Sequence, residues 1–473
     1  MGVAKNDSRE TMARVEDAGQ GHVFRWWDDL NSESKRRLID QLASVDFDLV
    51  GRLASRIGEE DQKASLLLEP PEILSLPRRK EERRRAREAG AVGESLIRSG
   101  KVAAFLVAGG QGTRLGYDGP KGMFPIGPVT GKSLFQMHAE KILAASRAYD
   151  TTIPWYLMTS RTNDAETRSY FEAHHFFGLG QENVVFFTQE MIPALDEEGK
   201  LILDAKDHVF MNPNGHGGSL LALVESGAVD DMKSRGVEII SYFQVDNVLI
   251  KIVDPVFLGY HARAGSEMSS KMVRKRHARE RVGVFGRMDG RLRVIEYSDM
   301  SEQDMEALIE GGGLKYDAGS VAIHTLDVAF VESEVRDGFK LPYHAAHKRI
   351  PYLDDSGRRI EPGAPNGYKF ETFVFDALED ARNAIVMEVP REEEFSPVKN
   401  RTGEDSPTTA RRDLSNFFAA WLEAAGVSVP RDAEGNVTEA VEINPLFAMD
   451  IDAFLQNVPG DVDFRGGLYV GAV

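Results

Sequence analysis

The sequence predicts an α/β fold: a central domain on a mostly parallel mixed sheet, preceded by a helical N-terminal region and followed by a small C-terminal α+β lobe. Three observations lead there. Short continuous apolar runs recur through the middle of the chain, helical periodicities lie between several of them, and the first run ends in a glycine-rich loop. With 473 residues, 42% of them hydrophobic, the chain can bury a large core. The changes of pattern divide it into residues 1–100, 101–390 and 391–473.

Over residues 15–57 the apolar positions Val23, Trp26, Trp27 and Leu30, then Leu38, Ile39 and Leu42, then Val50 and Leu53 fall at helical spacing. This predicts two or three amphipathic helices, with Ser32 as the cap ahead of Leu38. Glu69-Pro70-Pro71 breaks the pattern. The run from Arg78 to Glu88 intersperses glutamates among its arginines at helical spacing, which suits a solvated helix face better than a nucleic-acid patch. The runs at 102–107, 153–158, 184–187, 237–245 and 320–323 read as buried strands, and 133–148, 164–174 and 218–233 as helices. In such a sheet the ligand belongs beyond the carboxyl ends of the strands. Past Arg391 the pattern loosens into a loop, a helix over 411–425 and short strands near 440–443 and 468–470.

A formal charge of −18 argues against a broad nucleic-acid footprint or adhesion to an anionic membrane, since both need a surplus of Lys and Arg. The absence of cysteine excludes disulfides, thiolate metal sites and a cysteine nucleophile, and fits a reducing compartment. Residues 1–30 hold no apolar leader-like segment, and no run approaches the roughly 18 apolar residues of a membrane span. The expectation is a cytoplasmic protein without nucleic-acid or membrane partners, acting as a monomer or weak oligomer.

The strongest chemical signal is Leu106-Val107-Ala108-Gly109-Gly110-Gln111-Gly112-Thr113-Arg114-Leu115-Gly116, followed by Gly119-Pro120-Lys121-Gly122. Glycines leaving a strand let backbone N–H groups approach phosphate oxygens, because no Cβ intervenes. Three readings compete. A dinucleotide fingerprint fails because Leu115 stands where the third glycine belongs. A P-loop at Gly127-Pro128-Val129-Thr130-Gly131-Lys132-Ser133 is one residue short, with Ile126 at the first glycine position. A nucleotidyltransferase loop, with Arg114 and Lys121 set beside the glycines to lie over a triphosphate, fits the chemistry of offsetting charge on phosphorus-bound oxygens. Asp246, at the end of an apolar run, is a carboxylate that a hard cation would stabilise; a turn before Asn247 is the plainer reading.

These residues, with Met158-Thr159-Ser160, Phe187-Thr188-Gln189-Glu190, Gly215-His216-Gly217-Gly218, Gln244-Val245-Asp246-Asn247, Val294-Ile295-Glu296-Tyr297-Ser298, Asp317-Ala318-Gly319-Ser320, Asn366-Gly367-Tyr368-Lys369 and Ser396-Pro397-Val398-Lys399-Asn400, resemble the eukaryotic-type UDP-N-acetylglucosamine pyrophosphorylase family over nearly the whole chain. The resemblance implies a Rossmann-like, GT-A-like nucleotidyltransferase domain that joins UTP to a sugar 1-phosphate. It implies that Val107, Ala108, Gly109, Gly110, Gln189 and Gly215 bind the uracil end of UTP, that Arg114, Lys121 and Lys399 serve catalysis, and that Lys369 contacts phosphate. Asp246 would hold Mg²⁺, and His216, Gly283, Glu296, Tyr297 and Ser320 would line the sugar. Unaided, the sequence leaves Lys369 and Lys399 open to being surface lysines, and Glu296 to facing solvent.

Two positions depart from the pattern. Members acting on N-acetylglucosamine usually read Asn where this chain has His216 and again where it has Ser320, and a histidine at the first is similar to the UDP-glucose and broad UDP-sugar branches. A neutral His216 can donate one hydrogen bond to the sugar or a phosphate, and it lacks neighbouring partners for a metal. Glucose 1-phosphate as substrate, a broad UDP-sugar pyrophosphorylase, or a sensor that binds the nucleotide sugar without chemistry are the alternatives.

Overall fold

In the computed structural model, which describes residues 3–58, 68–458, 464 and 467–471, the described residues gather into two units. The larger holds those of Lys63–Thr188, Ser219–Lys340 and Phe375–Val473; the smaller holds those of Met1–Gln62, Gln189–Gly218 and Leu341–Val374.

In the larger unit the apolar runs become strands, and those at Val102–Val107, Trp155–Thr159 and Ile239–Gln244 are buried on both faces, the environment that a continuous rather than alternating pattern specifies. They are β1 (Val102–Val107), β2 (Trp155–Thr159), β3 (Val184–Thr188) and β4 (Ile239–Gln244), followed by β5 (Met268–Arg274), β6 (Val284–Met288), β7 (Arg291–Ile295), β8 (Ala318–Asp327) and β9 (Ile385–Glu388). Among the described residues they form one nine-stranded sheet in the order β7-β6-β8-β4-β1-β2-β3, with β5 pairing β8 and β9. β1 lies at its centre, parallel to β2 with Leu106 opposite Leu157, and to β4 with Leu106 opposite Phe243. β8 runs antiparallel to β4, which makes the sheet mixed, as expected.

The helices follow their sequence signals. Ser133 caps Leu134–Ala148, its Oγ accepting from Gln136 N at 3.1 Å. The helix expected over 218–233 is two, Gly218–Glu225 and Ala228–Ser234, because Gly227 takes a left-handed φ of 78° between them. The charged run opens the helix Lys80–Arg98 and is laced by Arg84–Glu81, Arg84–Glu88 and Arg85–Glu81 ion pairs on an exposed face, while Ala89, Gly93 and Ile97 are buried. The C-terminal helix, Pro407–Ala424, buries Leu414, Phe418 and Leu422 in the main core; Val441–Ile443 pairs in parallel with Leu468–Val470.

The turn that resembles a P-loop is closed from within. The Glu442 carboxylate accepts from Val129 N at 3.0 Å, Thr130 N at 2.9 Å and Thr130 Oγ1 at 2.6 Å, and Lys132 pairs with Glu140 at 2.8 Å. Donors that a phosphate would need serve a carboxylate of the chain itself.

In the smaller unit, helices Val3–Asp17, Ser32–Ala43 and Phe47–Ser55 bury Val15, Leu38, Leu42, Val50 and Leu53 against Ile192, Leu201, Val209 and Phe370. The cap of the second is Asn31, not Ser32: Asn31 Oδ1 accepts from Glu33 N at 3.0 Å and Ser34 N at 2.9 Å, so the helix starts one residue earlier than a Ser32 cap requires. Gln41 ties this helix to the strand pairs by exchanging two 2.8 Å hydrogen bonds with the backbone of Val209. Gly367–Glu371 pairs antiparallel with His344–Lys348 and with Leu195–Asp196.

Candidate active site

The glycine-rich loop leaves β1 at the carboxyl ends of the parallel strands and folds back on itself. Gly112 N donates to Gly119 O at 2.9 Å and Lys121 N to Gly110 O at 3.1 Å, which brings Lys121 beneath the glycines. Asn163, fully buried, holds the start of the loop by donating to Ala108 O at 2.9 Å and Gly110 O at 3.3 Å. Gly110, Gln111, Thr113 and Arg114 face solvent, and Arg114 makes no ion pair among the described residues. The loop thus offers exposed backbone and, at Arg114, an exposed cation.

Asp246 follows β4 and is 8% exposed. Lys121 Nζ donates to its Oδ2 at 2.8 Å. Burial pushes the Asp246 carboxyl up, but the ammonium groups of Lys121 and Lys399 outweigh it and hold it below the ordinary carboxylate range. Lys399 itself is exposed, at the turn where its N and that of Asn400 donate to Asp405 O at 2.7 and 2.9 Å. Asp405 is a second carboxyl beside this group; burial raises it above its usual value, Asp246 adds to the rise, and Lys399 opposes it. The structure therefore brings Lys121, Asp246 and Lys399 together and leaves Arg114 out on the loop.

At the neighbouring strand ends, Gly283, Glu296 and Ser320 converge. Ser320 N donates to Gly283 O at 2.8 Å, and a Cβ on Gly283 would lie 3.1 Å from Glu296 Oε1, so any side chain there would press on that carboxylate. Tyr297, next to Glu296, is 39% exposed.

Within the smaller unit, Gln189, Gly215 and His216 share one corner. Gln189 Nε2 donates to Gly215 O. Gly215 has φ 68°, and a Cβ there would collide with the backbone of Thr372. His216 Nδ1 accepts from Val374 N at 3.1 Å, which leaves the ring proton on Nε2. Burial, with a smaller contribution from His344, lowers His216 to about 4, so near neutral pH it is uncharged. Lys369, in the strand Gly367–Glu371, lies over the Phe210 ring at 4.7 Å; burial lowers its pKa, Glu371 opposing.

Sequence reasoning missed Asn163 and Asp405. Asn163 was within reach, since an asparagine directly before a helix is a start signal, though its work is done on the glycine loop and not as a cap. Asp405 carries no such signal and owes its place to the turn after Lys399. Among the described residues no group of three or more His, Asp or Glu side chains forms a metal cage. The buried Asp246 carboxylate is the group at this site that could hold a hard cation.

The chain matches the profile of the family described as UTP–glucose-1-phosphate uridylyltransferase over residues 71–405. It is 38% identical to the UDP-N-acetylhexosamine pyrophosphorylase-like protein 1 of Xenopus tropicalis, over 94% of this chain and 93% of that one. With the UDP-N-acetylglucosamine pyrophosphorylase of Saccharomyces cerevisiae the identity is 37%, over 87% and 91% of the two chains. The crystal structure of the uridine diphosphate N-acetylglucosamine pyrophosphorylase from Trypanosoma brucei in complex with inhibitor is similar with a TM-score of 0.80 at 28% identity, covering 95% of this chain and 94% of that one.

Proposed function

The chain belongs to the UTP–glucose-1-phosphate uridylyltransferase family of nucleotidyltransferases, and from that premise we propose that it condenses UTP with N-acetylglucosamine 1-phosphate to give UDP-N-acetylglucosamine and pyrophosphate. The observation that carries the site is the buried Asp246 carboxylate, 2.8 Å from Lys121 and within the field of Lys399, beside the glycine-rich loop.

A phosphate oxygen of the sugar 1-phosphate attacks the α-phosphorus of UTP. The new O–P bond forms in line as the bond from the α-phosphorus to the bridging oxygen breaks, and pyrophosphate leaves with that electron pair. The attacking oxygen already carries charge, so neither a protein base nor a covalent enzyme intermediate is needed. Lys121 and Arg114 offset charge on the triphosphate, and Lys399 screens the two anionic reactants from each other. Asp246 would hold Mg²⁺, which when bound supplies a Lewis acid to the phosphate oxygens. Val107 to Gly110, Gln189 and Gly215 are the proposed uracil contacts, Lys369 a phosphate contact, and His216, Gly283, Glu296, Tyr297 and Ser320 the sugar contacts. Arg114, Lys121 and Asp246 fall within 101–390, proposed as the transferase domain, whereas Lys399 comes from the segment 391–473. Among the described residues no helix is long and apolar enough to cross a membrane; the cysteine-free chain is assigned to the cytoplasm, as a monomer or weak oligomer.

His216 favours a second reading, in which the acceptor is an unacetylated hexose 1-phosphate. The test of both is pyrophosphate release from UTP with N-acetylglucosamine, N-acetylgalactosamine, glucose and galactose 1-phosphates, compared as kcat/KM. Highest kcat/KM on N-acetylglucosamine 1-phosphate is expected; preference for glucose replaces the sugar but keeps the reaction, and UTP binding without product overturns both.

A further inference from the structure

Two chain segments that carry proposed catalytic groups are joined by one buried side chain and by backbone hydrogen bonds on either side of it. Asn247, 3% exposed, donates from Nδ2 to Glu394 O at 2.7 Å and accepts at Oδ1 from Ser396 N at 3.0 Å. Backbone hydrogen bonds continue the seam: Val398 N to Asp246 O at 3.0 Å and Val248 N to Ser396 O at 3.4 Å. On one side of it stands Asp246, directly before Asn247; on the other stands Lys399, directly after Val398.

The seam rests on a rigid base. Lys271, fully buried, donates to Glu394 Oε1 at 2.8 Å and pairs with Asp254 at 2.7 Å, and Glu394 Oε2 accepts from Lys251 N at 3.2 Å. From the other direction the helix Leu134–Ala148 grips the same segment: His138 Nε2 donates to Val245 O at 3.0 Å, and Lys141 Nζ donates to Val248 O at 2.6 Å and Ile250 O at 2.9 Å. Carbonyls before and after Asp246 are thereby fixed, and the carboxamide of Asn247 is the one side chain among the described residues that spans from this segment to the backbone of 394–396.

We propose that Asn247 is a positioning residue that sets Asp246 and Lys399 in register as one catalytic unit. The proposal rests on the roles given to those two residues above. The carboxamide bonds to backbone on the far segment, so its effect on turnover is exerted through the placement of Lys399 relative to Asp246.

The test compares Asn247→Ala, the isosteric Asn247→Asp, Lys399→Ala and the double variant Asn247→Ala/Lys399→Ala in the pyrophosphate-release assay, with circular dichroism to establish folding. Asn247→Asp keeps the volume but turns a donor into an acceptor facing Glu394 O, so it carries the test if the alanine variant does not fold. The expected result is a kcat lowered about 10- to 100-fold with KM for UTP changed less than about threefold. The double variant is expected within about threefold of Lys399→Ala, because a residue acting through Lys399 has little left to lose once that ammonium is gone. Near-normal kcat in the Asn247 variants, or losses that multiply in the double variant, overturns the proposal while leaving Lys399 in its role. Near-normal kcat in Lys399→Ala overturns both.

Discussion

Lys121 Nζ and Asp246 Oδ2 stand 2.8 Å apart with their side chains 17% and 12% exposed, so an ammonium and a carboxylate satisfy each other at the place where a triphosphate and a cation are proposed to bind. Each partner holds the other ready. The Lys121 ammonium has three N–H donors, so it can keep this bond and still reach phosphate oxygens.

Lys121→Met is expected to lower kcat by about 10²- to 10³-fold, the loss typical of removing a preorganised charge from a reacting centre. Steady-state pyrophosphate release measures it, with circular dichroism as the control for folding. A variant that keeps near-normal kcat removes Lys121 from the mechanism.

Substituting Asn at His216 and Ser320 together is expected to raise the ratio of kcat/KM for N-acetylglucosamine 1-phosphate over glucose 1-phosphate by about tenfold, on the scale of a gained or lost polar contact in a sugar pocket. The two substrates are assayed side by side at fixed UTP. An unchanged ratio means neither residue reads the 2-substituent.

His138 is buried and lowered to about 3 from 6.5, chiefly by burial and then by the Lys141 charge, and its Nδ1 finds no hydrogen-bond partner among the described residues. In the unfolded chain the imidazole takes a proton as pH falls through 6.5; in the folded chain it stays neutral until about 3. The unfolded state therefore binds more protons across that window, and stability falls as pH is lowered. His138→Gln keeps a donor for Val245 O without the titration and is expected to flatten Tm against pH on the acid side of 6.5. Parallel curves for the two proteins would refute the assignment.

Gly215→Ala is expected to destabilise by about 1–3 kcal/mol, because the left-handed backbone and the collision with Thr372 both act against a Cβ. Urea unfolding followed by circular dichroism gives the difference. A change smaller than about 0.5 kcal/mol would mean that Thr372 moves aside freely.

The parts of the fold legible in the sequence are those set by neighbours along the chain. The runs at 102–107 and 184–187 became strands because unbroken apolar stretches have no solvent face to offer, and Ser133 capped its helix through Gln136 N, three residues on. Where two local choices were nearly equal, the reading slipped by a residue, as with Asn31 in place of Ser32. The glycine loop was legible too, since Leu115 and Ile126 each disqualified a rival by residue type alone.

Beyond the reach of local pattern were the partners. Nothing along the chain says that Glu442 closes the P-loop-like turn, that Asn163 holds Ala108 and Gly110, or that Asp405 lies beside Lys399 and Asp246. Nor does it say that residues 189–218 and 341–374 join the N-terminal helices in one unit.

By itself the sequence determined the central parallel strands, the glycine-rich loop that leaves the first of them and the cations set beside that loop, because periodicity, glycine content and residue charge act over a few residues. Only the tertiary structure decided which carboxylate each cation meets and which side chains fix the segments around Asp246, because those are contacts between residues more than a hundred positions apart, as Lys121 and Asp246 are, chosen by packing and by the cost of leaving buried charge and backbone unpaired.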